Sequence, residues 1–228
     1  MDVEANVEII QRNINEACDI SNRDTEEITI IGVTKYVTIE RAQEAGQAGI
    51  INLAENRMEG LLEKKEQIAN DQVTWHFIGT LQSRKVKNVV DSIDYLHSLD
   101  RLSLAKEIDK RSSKVLPCFI QVNVSGEDSK HGLAKDEVVE FVKALRDYSN
   151  IQVVGLMTMA PFIDDEKEIR AVFRQLRELR DTIQEKNWEH APCRYLSMGM
   201  SHDYKIAIEE GATHIRIGSS LVGTSETR

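Results

Sequence analysis

The chain has 228 residues, of which 41% are hydrophobic and 29% charged, with a net charge of −9; this is a folded globular composition, and it excludes a nucleic-acid binder, which needs a concentrated basic face. Its three cysteines, Cys18, Cys118 and Cys193, are odd in number and widely scattered, which argues against a disulfide framework or a zinc site; Cys118 and Cys193, beside strands, are expected as inert packing. No apolar stretch approaches the roughly 20 residues of a membrane span, and Met1-Asp2-Val3-Glu4 lacks the basic-then-apolar order of a signal peptide, so a reduced, cytoplasmic protein without metal or membrane partners is expected.

An amphipathic segment over 3–20 predicts a helix ahead of the first strand. The apolar run Ile28-Thr29-Ile30-Ile31-Gly32-Val33-Thr34-Lys35 predicts that strand, with Lys35 closing it. An amine at the end of a buried strand loses hydration, which disfavours its charged form, and a neutral amine attacks aldehydes, so Lys35 is a candidate Schiff-base former. Tyr36, next along, is expected on the other side of the strand.

Apolar spacings of three and four predict helices over 39–48 and 58–69, between β-branched runs at 50–54 and 73–78. His76 in the latter run reads as a hydrogen-bonded core histidine before it reads as a catalyst. A strand over 93–99, a helix over 101–110 and a strand over 118–124 follow. The loop over 125–132 then stands where it could cover a ligand or receive a partner, with a solvated loop as the default. Beyond a helix over 136–148 and a strand over 151–157, Met157, Met159 and Pro161 are expected to wall a pocket. In the helix over 165–186, Ile169, Val172, Phe173, Leu176, Leu179 and Ile183 form one apolar stripe. Strands over 195–198 and 214–217 complete eight strand–helix alternations.

Eight such units in this length predict a closed (β/α)8 TIM barrel forming one domain over 1–228, with the extra N-terminal helix outside it. An open doubly wound sheet is the alternative, but no GxGxxG turn follows the first strand.

In such barrels the active groups come from the carboxyl ends of the strands, and phosphate commonly sits at the loops after strands seven and eight. After strand seven comes Ser197-Met198-Gly199-Met200-Ser201-His202-Asp203, with Ser201 a natural helix N-cap. After strand eight comes Arg216-Ile217-Gly218-Ser219-Ser220, where glycine admits close backbone approach and hydroxyls supply donors. Alternation along His214-Ile215-Arg216-Ile217-Gly218 sends the isoleucines toward the helices and Arg216 toward the barrel mouth, where its guanidinium needs a ligand or a carboxylate. A lysine for a carbonyl, a phosphate cradle and a ring-facing arginine together describe pyridoxal 5′-phosphate.

These segments, with Asn52-Leu53-Ala54-Glu55-Asn56 and His76-Phe77-Ile78-Gly79-Thr80-Leu81-Gln82, closely resemble the pyridoxal phosphate homeostasis (YggS-like, proline-synthase co-transcribed) family over nearly the whole chain. The resemblance implies an alanine-racemase-like barrel carrying pyridoxal phosphate on Lys35. By the same resemblance Ser201, Gly218 and Ser219 hold the phosphate, Asn56 lines the cofactor and Arg216 faces the pyridine nitrogen. Ser219 stands where many relatives carry threonine, which keeps the hydroxyl.

Two readings compete. One is a cofactor carrier that supplies apoenzymes with pyridoxal phosphate and has no catalytic residues of its own. The other is an amino-acid racemase of weak activity. A two-base racemase needs a second acid/base opposite the lysine, which alanine racemase takes from a further β-domain and a partner subunit; this chain stops at Arg228. A cation beside the pyridine nitrogen also discourages its protonation, making a poorer electron sink. The carrier is therefore the expectation, as a monomer. A cofactor-free Schiff-base aldolase acting on a sugar phosphate would use the same lysine and phosphate site; it would be colourless where the carrier is yellow.

Overall fold

The computed structural model describes residues 2–127 and 131–224. The chain opens with α1 (Val3–Ser21), whose first N–H groups are capped by Asp2 and whose end is turned by Asn22 at φ 53°. It continues through β1 (Thr29–Val33), α2 (Ile39–Gln47), β2 (Asn52–Glu55), α3 (Met58–Ile68), β3 (Thr74–Phe77) and the short α4 (Val86–Val89). Then come β4 (Tyr95–Leu99), α5 (Leu102–Arg111), β5 (Leu116–Asn123), the two-residue β6 (Leu133–Ala134) and α6 (Val138–Ala144). The last part holds β7 (Ile151–Met157), α7 (Glu166–Gln184), β8 (Tyr195–Met200), α8 (Tyr204–Glu209), β9 (His214–Ile217) and α9 (Ser219–Val222).

All strand pairings are parallel, in the order β4-β3-β2-β1-β9-β8-β7-β5-β6, and a further β4–β5 pairing closes the ring. Eight strands form the expected barrel, and α1 is the expected extra helix. The ninth, β6, was not expected; it adds a short parallel rung to the end of β5, at Val122 and Asn123.

Strand alternation sorts the core into two shells. Leu53, Trp75, Phe77, Leu96, Ile120, Leu196, Ile215 and Ile217 belong to the large apolar cluster shared with the helices. Ile31, Val33 and Ala54 form a separate small cluster in the lumen, and Phe119, Val154 and Met157 form another. Histidine and aromatic rings share the lumen with these aliphatics. His76 stacks on Tyr95 at 4.8 Å, and His97 on Phe119 at 4.3 Å. His214 meets Phe119 edge-on at 5.2 Å.

Two features position the mouth. From α1, Asn6 Nδ2 donates to the Leu221 carbonyl at 2.8 Å and Asn13 Nδ2 to the Tyr204 hydroxyl at 2.7 Å, so the added helix braces the turns that follow β8 and β9. Gly199, at φ +94°, lets α8 cross β8 closely: a Cβ there would stand 2.6 Å from the Ala207 Cβ.

Candidate functional site

The first strand ends at Val33, two residues short of the expected position. Thr34 still donates its N–H to the Ala54 carbonyl at 3.0 Å, and the chain then turns. A buried ion pair anchors that turn from outside the barrel. Lys64 Nζ on α3 donates to the Thr34 carbonyl at 2.8 Å and to Glu55 Oε1 at 2.6 Å, and the Thr34 hydroxyl donates to the same carboxylate at 2.8 Å. Lys35 therefore stands exposed on the rim, not desolvated within a strand. The expected burial of Lys35 fails at this point, because the strand stops before Lys35 is reached. Among the described residues its Nζ has neither hydrogen bond nor ion pair; it lies 5.6 Å from the centre of the Tyr36 ring.

Tyr36 also departs from expectation. Alternation would send it to the opposite side, but its φ of +67° reverses the chain and keeps it beside Lys35. Its hydroxyl accepts from Asn56 Nδ2 at 3.3 Å, and Arg57 lies 5.7 Å from the ring. The Asn56 hydrogen bond, followed by the Arg57 charge, holds the phenol below its usual pKa. Tyr36 does not point away from the lysine.

Lys35, Asn56, Gly218 and Ser201 come from the ends of β1, β2, β9 and β8, four consecutive strands. The β1–β9 register pairs Gly32 with Ile217, which sets Gly218 against Val33; a Cβ on Gly218 would lie 3.5 Å from Val33. Ser219 opens α9 and is exposed, and Ser201 Oγ accepts from the Ser220 N–H at 3.3 Å, tying the two seryl turns together. Ser201 is not a helix cap. The helix starts later, at Tyr204, with Asp203 at the cap position, and spans only six residues. Asp203 Oδ1 instead accepts from the Met200 N–H at 2.6 Å, while its Oδ2 is buried 3.2 Å from His202 Nε2. Burial raises this carboxyl's pKa, with the Met200 hydrogen bond, His202 and Arg216 opposing.

Below the rim lies Arg216, on the inward face of β9 as alternation predicts, and only 4% exposed. Among the described residues its hydrogen-bonding partners are not carboxylates. Nη1 donates to Ser197 Oγ at 2.6 Å and Nη2 to the Thr158 carbonyl at 3.0 Å, leaving three of the five N–H donors of a guanidinium. Burial lowers its pKa to about 10, and Asp203 opposes the shift. Ser197 and Thr158 are partners of Arg216 that sequence reasoning missed. Both sit in apolar runs, where a single hydroxyl carries little signal.

His76 is fully buried and hydrogen-bonded, as the core reading holds. Of the expected pocket wall, Met157 packs deep against Phe119 and Val154, Pro161 is buried and Met159 is partly exposed. Residues 128–130 of the 125–132 loop lie outside the described residues. Cys18, Cys118 and Cys193 are all buried as free thiols, and burial pushes the Cys193 thiol up to about 12. Among the described residues no group of His, Cys, Asp and Glu has a metal-binding arrangement, and no helix is long and apolar enough to cross a membrane.

Comparison with known proteins bears on the family and the fold. Residues 6–226 match the family described as alanine racemase, N-terminal domain. The chain is 40% identical over 217 residues to the pyridoxal phosphate homeostasis protein of Aquifex aeolicus, covering 94% of each. It belongs to the pyridoxal phosphate homeostasis protein family. The Pseudomonas aeruginosa member is 33% identical over 224 residues, covering 97% of this chain and 95% of that one. Among solved structures, PipY of Synechococcus elongatus with PLP bound is similar at a TM-score of 0.80 and 27% identity, over 92% of this chain and 100% of PipY. An alanine racemase of Clostridium difficile shares the fold at a TM-score of 0.77 and 16% identity, over 96% of this chain and 56% of the racemase. The alanine-racemase-like barrel is thus shown for this family member both by its own strand order and by these neighbours.

Proposed function

We propose that this chain binds pyridoxal 5′-phosphate, holds it reversibly on Lys35 and supplies it to apoenzymes in the cytoplasm, acting as a monomer without robust turnover of its own. The observation that carries the reading is the convergence, at four neighbouring strand ends, of an amine without a polar partner, two linked seryl turns and a pinned guanidinium. The donor set suits the cofactor. Lys35 would take the aldehyde, Ser201, Gly218 and Ser219 the phosphate, Asn56 would line the ring, and Arg216 would face its nitrogen. When bound, pyridoxal phosphate supplies an aldehyde that a lysine can hold as an imine and a ring that can accept electrons.

The exposure of Lys35 favours a carrier, since a competing amine can reach its Nζ from solvent. Arg216 favours the same reading. A fixed cation disfavours protonation of a neighbouring ring nitrogen, and a neutral ring is a weak electron sink for amino-acid chemistry. The PLP-bound state of PipY supports binding of the cofactor, and the shared name of the relatives supports a homeostasis role.

Borohydride reduction of the loaded protein, followed by peptide mass spectrometry, should place the pyridoxyl tag on Lys35 and nowhere in Lys35→Ala. A tag on another lysine, or none, overturns the assignment. Rapid racemisation across an amino-acid panel would favour an enzyme over a carrier.

A further inference from the structure

From Arg216 the lumen holds a continuous polar chain whose other members the cofactor reading does not use. It runs from Arg216 Nη1 to Ser197 Oγ at 2.6 Å, from Ser197 Oγ to His97 Nδ1 at 2.8 Å, from His97 Nε2 to His76 Nδ1 at 2.9 Å, and from His76 Nε2 to Asn52 Oδ1 at 3.0 Å. Five strands' worth of barrel are crossed, and Ser197, His97 and His76 are each fully buried.

Proton counting gives the chain one direction. A guanidinium only donates, so Ser197 Oγ accepts from Arg216. The single serine proton must then point elsewhere, and His97 Nδ1 is its acceptor among the described residues. With Nδ1 accepting, neutral His97 carries its proton on Nε2 and donates it to His76 Nδ1. His76 in turn carries its proton on Nε2 and donates to the Asn52 side-chain oxygen. The opposite polarity would aim two donors at Ser197 Oγ and strand the serine proton in the core, at the cost of an unmade buried hydrogen bond. No carboxylate belongs to the chain. The charged and titratable groups around it are Asp203, which acts on Arg216; His214, packed among the lumen rings; and Tyr95, stacked on His76.

We propose that Ser197, His97 and His76 are positioning residues, forming a one-way hydrogen-bond chain that begins at Arg216 and ends on Asn52, fixes the guanidinium and leaves its charge unneutralised toward the barrel mouth. The effect on a bound ring rests on the cofactor site proposed above; the polarity of the chain does not.

The test has two arms. In uniformly 15N-labelled full-length protein without added cofactor, long-range 1H–15N spectra should show both His76 and His97 as neutral Nε2–H tautomers, unchanged from pH 8 to pH 6. An Nδ1–H tautomer or an imidazolium at either position would overturn the chain. In the second arm, His97→Phe keeps the stack on Phe119 but removes both ring nitrogens, and Ser197→Ala removes the link to Arg216. Each should weaken pyridoxal phosphate about tenfold, roughly one net hydrogen bond. Each should also make the absorbance of the bound cofactor titrate between pH 6 and 9, where the wild type stays flat. His97→Gln, with an amide in place of the ring, should recover part of both. Wild-type affinity and a flat spectrum in folded Ser197→Ala would overturn the positioning role. Should wild type take up no pyridoxal phosphate, the cofactor reading fails, while the tautomers still decide the chain.

Discussion

Mild acid should destabilise this protein through the histidines inside its barrel, and the size of the effect follows from their burial. Desolvation lowers the pKa of His76 from 6.5 to about 3 and that of His214 from 6.5 to about 4, and it lowers His97 well below the ordinary value as well. In the unfolded chain each binds a proton as the pH drops below 6.5; in the folded barrel none does until the pH is far lower. The unfolded state therefore holds more protons, and stability falls as the pH falls through this window. At pH 5 an ordinary histidine lies about 1.5 pH units below its midpoint, which at 1.36 kcal/mol per unit is about 2 kcal/mol for each buried ring relative to neutral pH. Asp203, with its raised pKa, works in the opposite sense and trims the total. Urea unfolding followed by circular dichroism at pH 7 and pH 5 measures the loss directly. In His214→Gln the loss between the two pH values should be smaller than in wild type by about 2 kcal/mol, whatever the variant costs at pH 7. Equal losses in the two proteins would refute the reasoning, since they would mean that His214 titrates normally in the fold.

Further outcomes are expected at other positions. Lys64→Met should cost about 3–5 kcal/mol, because it strands the buried Glu55 carboxylate; it should also weaken pyridoxal phosphate capture at Lys35 by freeing the Thr34 carbonyl, and adding Glu55→Gln should restore most of the stability in urea unfolding. Gly155→Ala would bring a Cβ within 2.2 Å of the Tyr195 carbonyl oxygen and 2.9 Å of the Phe119 ring, which should cost about 3 kcal/mol and lower the thermal midpoint by roughly 6–12 °C. Gly46→Ala in α2, where an added Cβ meets nothing within 4 Å, should leave the midpoint the same or raise it slightly. Replacing Ser201 and Ser219 together with alanine should weaken pyridoxal phosphate at least tenfold more than unphosphorylated pyridoxal in absorbance titrations; equal losses would detach both serines from the phosphate.

Some of this architecture was readable from local pattern alone. Period-two alternation in His214-Ile215-Arg216-Ile217-Gly218 correctly turned Arg216 inward and the isoleucines toward the helices, because a strand's side chains obey its pleat wherever the strand persists. The same rule failed at Tyr36, where the strand had already ended. What ends it is Lys64, thirty positions along on α3, gripping the Thr34 carbonyl, and no local pattern carries that contact. Ser201 was misread as a cap for a related reason: Asp203 wins that position because it also fastens Met200.

Sequence by itself thus determined the repeating strand–helix units, the eight-strand ring they build and which chemical groups gather at its carboxyl end, because hydrophobic period and strand parity are properties of neighbouring residues. Tertiary structure alone decided that the lysine is exposed, that the tyrosine stands beside it, and that Ser197, a hundred positions from His97, completes a hydrogen-bonded chain to the arginine. Those outcomes depend on which distant donors meet which buried acceptors, and such pairings exist only once the ring has closed.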